Sequence, residues 1–321
     1  MNPRASARRS IPPTPVRGPT ARRPRAAIGV LAAGVFLGAC TASGTQATPA
    51  PDQVRVVATT TVLADLVEQV GGTRVHVDSL VPRGGEVHTF DPRPSVSVKV
   101  SEARLIVMNG LGLDDWLGRL ALDTGTAASI LRLGEGLPGV VYLPGGAAGT
   151  KNPHLWLDVS YAELYVSRIA DTLAALDPTH AAEFAERASA YRARLASLDS
   201  WVRERIATIP EAARAFVSFH DALPYFARAY GLRVVGVVVP APGQDPSAGE
   251  VAALISAIRA AGVRSVFSEA QFSPELARAI ATEAGATVVA DLYTDTLGDP
   301  PLDGYEGIMR WDVERIVGAL R

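Results

Sequence analysis

The side chains in this 321-residue sequence that combine reactive chemistry with an unusual setting are histidines. His88 lies in VPRGGEVHTFDPRPS (81–95), among glycines, prolines and acids. His154 follows Asn152-Pro153 in NPHLWLD, and His220 ends the apolar run AFVSF just before Asp221. Loops and strand ends at the edge of an α/β sheet are where ligand-binding residues concentrate. Neutral imidazole is a common metal ligand, and three imidazoles with one carboxylate would make a tetrahedral site suited to a borderline-soft divalent ion. Nothing local in the sequence forces the three together, and each taken singly could equally be a hydrogen-bonded structural histidine. His76, inside VHVDSLV, and His180, near the start of a long helical stretch, read most simply as structural or surface residues.

Competing chemistries leave no local trace. The sequence has no Cys-x-x-Cys, no His-Glu-x-x-His, no phosphate loop of the Gly-x-x-x-x-Gly-Lys-Ser type and no Gly-x-Ser-x-Gly elbow. Cys40 is the only cysteine, so an intramolecular disulfide is impossible.

The elements that must position the histidines alternate between short β-branched runs and helical patterns, and 48% hydrophobic residues supply a sizeable core. VRVVAT (54–59), VHVDSLV (75–81) and RLIVMNG (104–110) read as buried strands of a mostly parallel sheet. In TVLADLVEQVGG, Val62, Leu63, Leu66, Val67 and Val70 share one helical face, and Gly71 and Gly72 can end the helix. After Asp158 come two strongly helical stretches separated by Asp177-Pro178, a cap and first-turn proline for the second. That second helix would run nearly 30 residues, about 40 Å, a natural spacer between two lobes. Beyond Pro210, AFVSFH, VVGVVVP, SVFSE and ATVVAD read as strands. Helices such as ALPYFARAYG and SPELARAIATEAG lie between them, the latter opening on Ser273 as cap and Pro274 at the first position. The expected fold is α/β: two α/β lobes with parallel-type sheets, 53–177 and 210–321, joined by one long helix at 178–209.

The N-terminal region has a different texture. Residues 1–39 hold seven arginines and no Asp or Glu, and AAIGVLAAGVFLGAC has signal-peptide length, too short to span a bilayer. Leu37-Gly38-Ala39-Cys40 resembles a bacterial lipobox, which makes 1–39 a lipoprotein signal peptide and Cys40 the lipid attachment point. Residues 40–52, small, polar and proline-bearing, suit a flexible tether. Removing the seven arginines of the leader leaves 24 basic against 33 acidic side chains, a net charge of about −9, which argues against a nucleic-acid partner.

Five segments in order, LVPRGGEVHTFDPRPSV, NPHLWLDV, FVSFHDALPYFARAYGL, VFSEAQFSPELARAIA and DLYTDTLGD, resemble the solute-binding lipoproteins of bacterial ABC importers for zinc and manganese, the cluster A-I family. The resemblance covers nearly the whole mature chain. It implies two α/β lobes around one rigid helix, with metal held in the cleft by His88 and His154 from the first lobe and His220 and Asp295 from the second. Asp291 and Asp299 are the competing carboxylates. It also implies an extracytoplasmic, lipid-anchored protein that captures Zn2+, with Mn2+ as the alternative cargo, and hands it to an ABC permease; the protein is expected to act as a monomer. His220 decides the cargo, because manganese-specific relatives usually carry glutamate there. The stretch GVVYLPGGAAGTKNP before His154 lacks the histidine- and acid-rich loop of some zinc-binding members, a departure that puts an accessory capture role in doubt. A zinc hydrolase, with water in the fourth position, is the rival reading from another class, and some family members have been assigned an adhesin role.

Overall fold

The computed structural model describes residues 52–146 and 149–321; Cys40 and the leader lie outside the described residues. The first sheet is built from β1 (Val54–Ala58), β2 (Val75–Ser79), β3 (Leu105–Met108) and β4 (Ser129–Arg132), parallel throughout in the order β2-β1-β3-β4. Its helices are α1 (Thr61–Gly71), α2 (Pro94–Glu102), α3 (Asp115–Thr124) and α4 (Val159–Leu176). After α5 (Ala181–Ala207) the second sheet repeats the pattern with β5 (Ala215–Ser218), β6 (Arg233–Val237), β7 (Ser265–Glu269) and β8 (Thr287–Leu292), parallel in the order β6-β5-β7-β8. Its helices are α6 (Pro224–Tyr230), α7 (Ala248–Ala261), α8 (Glu275–Ala284) and α9 (Tyr305–Leu320).

Strand alternation explains the layering, since successive side chains point to opposite faces. Val56, Ala58, Leu105 and Val107 enter the main core with α1 and α4, whereas Val57, Ile106 and Met108 pack beneath α2 and α3. In the second sheet Phe216, Phe267 and Leu292 face the main core, while Val217 and Val266 face α7 and α8. The edge strand β4 exposes Ser129, Ile130 and Arg132, so it carries little of the apolar signal that marks the other three.

At 27 residues α5 is about 40 Å long. It packs on α1 and α4 of one lobe and on α6 and α9 of the other. The core that results runs without a break from Val54 to Leu320. Polar contacts reinforce it: Asp65 of α1 accepts from the backbone N–H of Tyr305, the first residue of α9, at 2.9 Å, capping a helix of the opposite lobe.

Two helix starts differ from the sequence expectation. Ser273 does not cap α8, which begins at Glu275 with Pro274 in the cap position. Asp177 makes no side-chain cap bond; a 3-10 turn, Pro178–His180, precedes α5, and the Asp177 carboxylate pairs instead with His180 Nδ1 at 2.6 Å. With its carboxylate taken up by His180 inside the intervening turn, Asp177 is not available as a cap.

Candidate metal centre

Each site residue is delivered by chain leaving the C-terminal end of a strand, the edge at which open parallel sheets bind ligands. After β2, Leu80 and Val81 continue the ladder by donating to Ala58 and Thr59, and the chain then turns at Pro82–Gly85. Gly84 has φ +69°, the conformation that a type II turn requires at its third position. The turn returns His88 to the centre, where Glu86 Oε1 accepts from the His88 backbone N–H at 2.7 Å. Phe90 packs against Trp116 of α3 in a tilted arrangement, with ring centroids 5.1 Å apart, anchoring the far side of the loop.

His154 lies beyond β4, and the Asn109 side chain fixes the preceding residue by donating to Pro153 O at 3.0 Å. His220 follows β5 by two residues, on chain still held by Val239 N–H donating to Phe219 O. Asp295 follows β8 by three residues. Its loop belongs to the second lobe in sequence but is held by the first: Thr61 Oγ1 accepts from Leu297 N–H at 2.8 Å, Gly84 N–H donates to Thr296 Oγ1 at 2.9 Å, and Trp156 Nε1–H donates to Thr294 O at 2.8 Å.

The four side chains meet, with one possible donor atom from each lying within 4.8 Å of all the others. His154 Nε2 is 3.4 Å from Asp295 Oδ1, and His220 Nε2 is 3.3 Å from both Asp295 Oδ2 and His154 Nε2. His88 Nε2 stands 3.9 Å from Asp295 Oδ2. His154, His220 and Asp295 are buried, and His88 keeps 18% of its side chain exposed, facing a cavity of about 360 Å³ that also touches His154 and His220. His88 Nε2 and Asp295 Oδ1 are buried without a hydrogen-bond partner. Unpartnered buried polar atoms cost free energy, and a cation among them would satisfy all four groups at once.

The other ring nitrogens are turned outward by groups that the sequence did not identify. Asn152 Nδ2 donates to Asp221 O and Oδ2 at 2.7 and 3.0 Å, which directs Asn152 Oδ1 back to His154 Nδ1 at 3.0 Å. Glu269, the last residue of β7, sets Oε1 3.1 Å from His220 Nδ1. Both arrangements place the proton on Nδ1 and the Nε2 lone pair toward the centre, the usual means of orienting a ligating histidine. The one signal for Glu269 was an acid closing the otherwise apolar run SVFSE, every residue of which is buried. Asn152 gave none, because its role depends on Asp221 across the cleft.

Burial pushes the His88 imidazole down to about 4 against the pull of Asp295, and pushes His154 well below its ordinary range. Burial opposes charge on His220 too, but Glu269 and Asp295 together carry it well above. Burial would raise Asp295; the three histidines outweigh it and hold the carboxyl well below the usual range. Burial, then Asp295, pushes Glu86 up to about 7. Two histidines are thus kept as neutral donors beside a fully ionised carboxylate, a donor set ready for a cation.

The remaining candidates stay outside. His76 Nε2 lies 3.6 Å from Asp78 on β2, and His180 pairs with Asp177. Asp291 pairs with Arg315 of α9, and Asp299 is exposed.

Comparison with known proteins identifies the family and the fold. The family described as zinc-uptake complex component A, periplasmic, matches residues 56–319. The manganese-binding lipoprotein MntA of Halalkalibacterium halodurans is 30% identical over 298 residues, 91% of this chain and 95% of that protein. The iron ABC transporter substrate-binding lipoprotein MtsA of Streptococcus pyogenes is 26% identical over 294 residues, 89% of this chain and 94% of that protein. Among solved structures, the periplasmic zinc-binding protein TroA of Treponema pallidum superposes with a TM-score of 0.78 at 26% identity, covering 84% of this chain and 99% of its own.

Proposed function

This chain belongs to the zinc-uptake component A family, and from that premise we propose that His88, His154, His220 and Asp295 hold its cargo and that the cargo is zinc. As a member it is the extracytoplasmic, metal-capturing component of an ABC importer, not an enzyme, and its partner is the importer's permease. The observation that carries the ligand assignment is the convergence of four donors within 4.8 Å across the two lobes.

Three imidazole nitrogens and one carboxylate suit four-coordinate zinc, and the general affinity order places zinc above manganese unless an oxygen-rich geometry opposes it. One observation favours manganese as a second reading: Asp295 turns Oδ1 toward His154 and Oδ2 toward His220, so it could bind through both oxygens and raise the coordination number. The relative named for manganese belongs to the same reading. Equilibrium competition decides between the two. Zinc is expected to displace manganese from the wild-type protein, and retention of manganese against equimolar free zinc would overturn the assignment.

We further propose that Cys40 is the lipid-bearing N-terminus of a monomer, that 40–52 tethers it, and that 53–177 and 210–321 are the lobes on either side of the 178–209 segment. The apolar run before Cys40 and the absence of a second thiol support the anchor. Cys40→Ser is expected to leave the leader uncleaved; cleavage and membrane partitioning that persist unchanged would refute it.

A further inference from the structure

Zinc in this site brings a charge problem that the ligands do not solve. Three of them are neutral and Asp295 supplies a single negative charge, leaving a divalent ion half compensated in a buried cleft. Uncompensated buried charge is strongly unfavourable. Of the nearby carboxylates, Asp221 accepts from Asn152 Nδ2 and Asp312 from Tyr293 N–H at 3.0 Å, while Glu86 accepts from His88 N–H through Oε1 and leaves Oε2 buried without a partner.

Glu269 is different. It is 1% exposed, and neither side-chain oxygen accepts a well-formed hydrogen bond, although Oε1 lies 3.1 Å from His220 Nδ1. Among the described residues, His220 is its only ion-pair partner. Ser218 Oγ and Ser268 Oγ, at the ends of the same two strands, are also buried without partners. Among the described residues no lysine or arginine pairs with this carboxylate; it faces the His220 ring.

We propose that Glu269 is the second counter-charge of the metal site, acting through the His220 ring rather than as a ligand. Its carboxylate accepts a hydrogen bond from Nδ1–H, which keeps the proton on that nitrogen and turns the Nε2 lone pair to the ion. With Asp295 it brings the sum of ion and carboxylates to zero. Glu269 is therefore a positioning residue that selects for divalent cargo. This rests on the four-ligand reading above.

The test compares Zn2+ and Ag+ affinities in wild type, Glu269→Gln and Glu269→Asp by competition titration. Coulomb energy scales with the product of the charges, so losing one negative charge changes log Kd about twice as much for a divalent as for a monovalent ion. Glu269→Gln is expected to weaken zinc about 30-fold and silver about 5-fold, while Glu269→Asp keeps both within about threefold. The visible spectrum of bound Co2+ should remain tetrahedral in Glu269→Gln, showing that the ligands have not moved. Equal losses for zinc and silver, a zinc affinity unchanged in Glu269→Gln, or losses as large in Glu269→Asp would each overturn the proposal. Should Glu269→Gln fail to fold, Glu269→Asp decides: zinc affinity within about threefold of wild type supports it, and a loss of about tenfold or more rejects it. Failure of the wild type to bind zinc would instead remove the reading on which this rests.

Discussion

The two lobes repeat one strand order, 2-1-3-4 counted within each, yet they treat the gap between their central strands in opposite ways. In the first lobe the gap after β1 and β3 is closed by Asp114, fully buried, which accepts from Thr59 Oγ1 and Asn109 N–H at 2.7 Å each and from Gly110 N–H at 2.9 Å. Asn109 is completed by Tyr165 OH donating to its Oδ1 at 2.6 Å. In the second lobe the gap after β5 and β7 holds Ser218, Ser268 and Glu269, whose side-chain oxygens accept no well-formed hydrogen bond, Glu269 facing only His220 Nδ1 at 3.1 Å. Identical topology therefore supports two uses. One switch point is satisfied internally and serves as scaffold, fixing Pro153 beside His154; the other is left open at a cost in stability and carries the charge that a cation needs.

The comparison can be broken most directly at the open end. Asp295→Ala, which removes the one charged member of the proposed ligand set, should weaken zinc binding by at least about 100-fold and abolish the zinc-dependent rise in melting temperature. Retention of that rise would mean that the second lobe does not carry the binding charge. At the closed end the effect should fall on stability instead. Asp114→Ala strands the buried amides of Asn109 and Gly110, Thr59 Oγ1 keeping Val107 O at 3.3 Å, and should lower unfolding free energy by about 3 kcal/mol, read from urea denaturation, with zinc affinity of the folded fraction within about fivefold of wild type. A variant that loses affinity while keeping its stability would show that the first switch point is part of the binding machinery.

A third, smaller effect is pH dependence of the metal-free protein. His88 is held near 4 in the native state and titrates at about 6.5 when unfolded, and His154 is depressed likewise. Between about pH 6.5 and 4 the unfolded chain takes up protons that the native state refuses, so stability falls as pH falls through this window. His220, raised by Glu269 and Asp295, works in the opposite direction: its contribution is complete below the unfolded value and is lost as pH rises through the folded one. Glu86, pushed up to about 7, also works in the opposite direction across this window, so the test is a difference: between pH 6.5 and 4.5 chemical denaturation should show the wild type losing stability relative to His88→Gln. The smallest expectation concerns the histidines outside the cleft. His76→Ala and His180→Ala should each alter stability by less than about 1 kcal/mol, the scale of exposed ion pairs, and leave zinc affinity unchanged.

Much of the architecture was legible in the sequence because it rests on local pattern. The short β-branched runs became strands, and the stretch after Pro178 became a helix of 27 residues. Boundaries were less secure where two partners competed, as at Asp177 and Ser273. Five elements, α2, α3, β4, α7 and α9, were not singled out at all. In β4 the reason is plain, since an edge strand exposing three of its four residues has no apolar run to show.

The site divides along the same line. The sequence by itself determined which residue types are present and in what local setting: His88 in a glycine turn, His154 after Asn-Pro, His220 at a strand end, Asp295 beyond another. It could not bring them together, because they come from four chain segments whose contacts are set by non-local packing. Only the tertiary structure decided that Asp295 rather than Asp291 meets the histidines, since that depends on Thr61, Gly84 and Trp156 of the first lobe gripping the loop. The same holds for the orientation of the rings by Asn152 and Glu269. A hydrogen bond to the far nitrogen of an imidazole is a relation between residues distant in sequence, and sequence spacing carries no record of it.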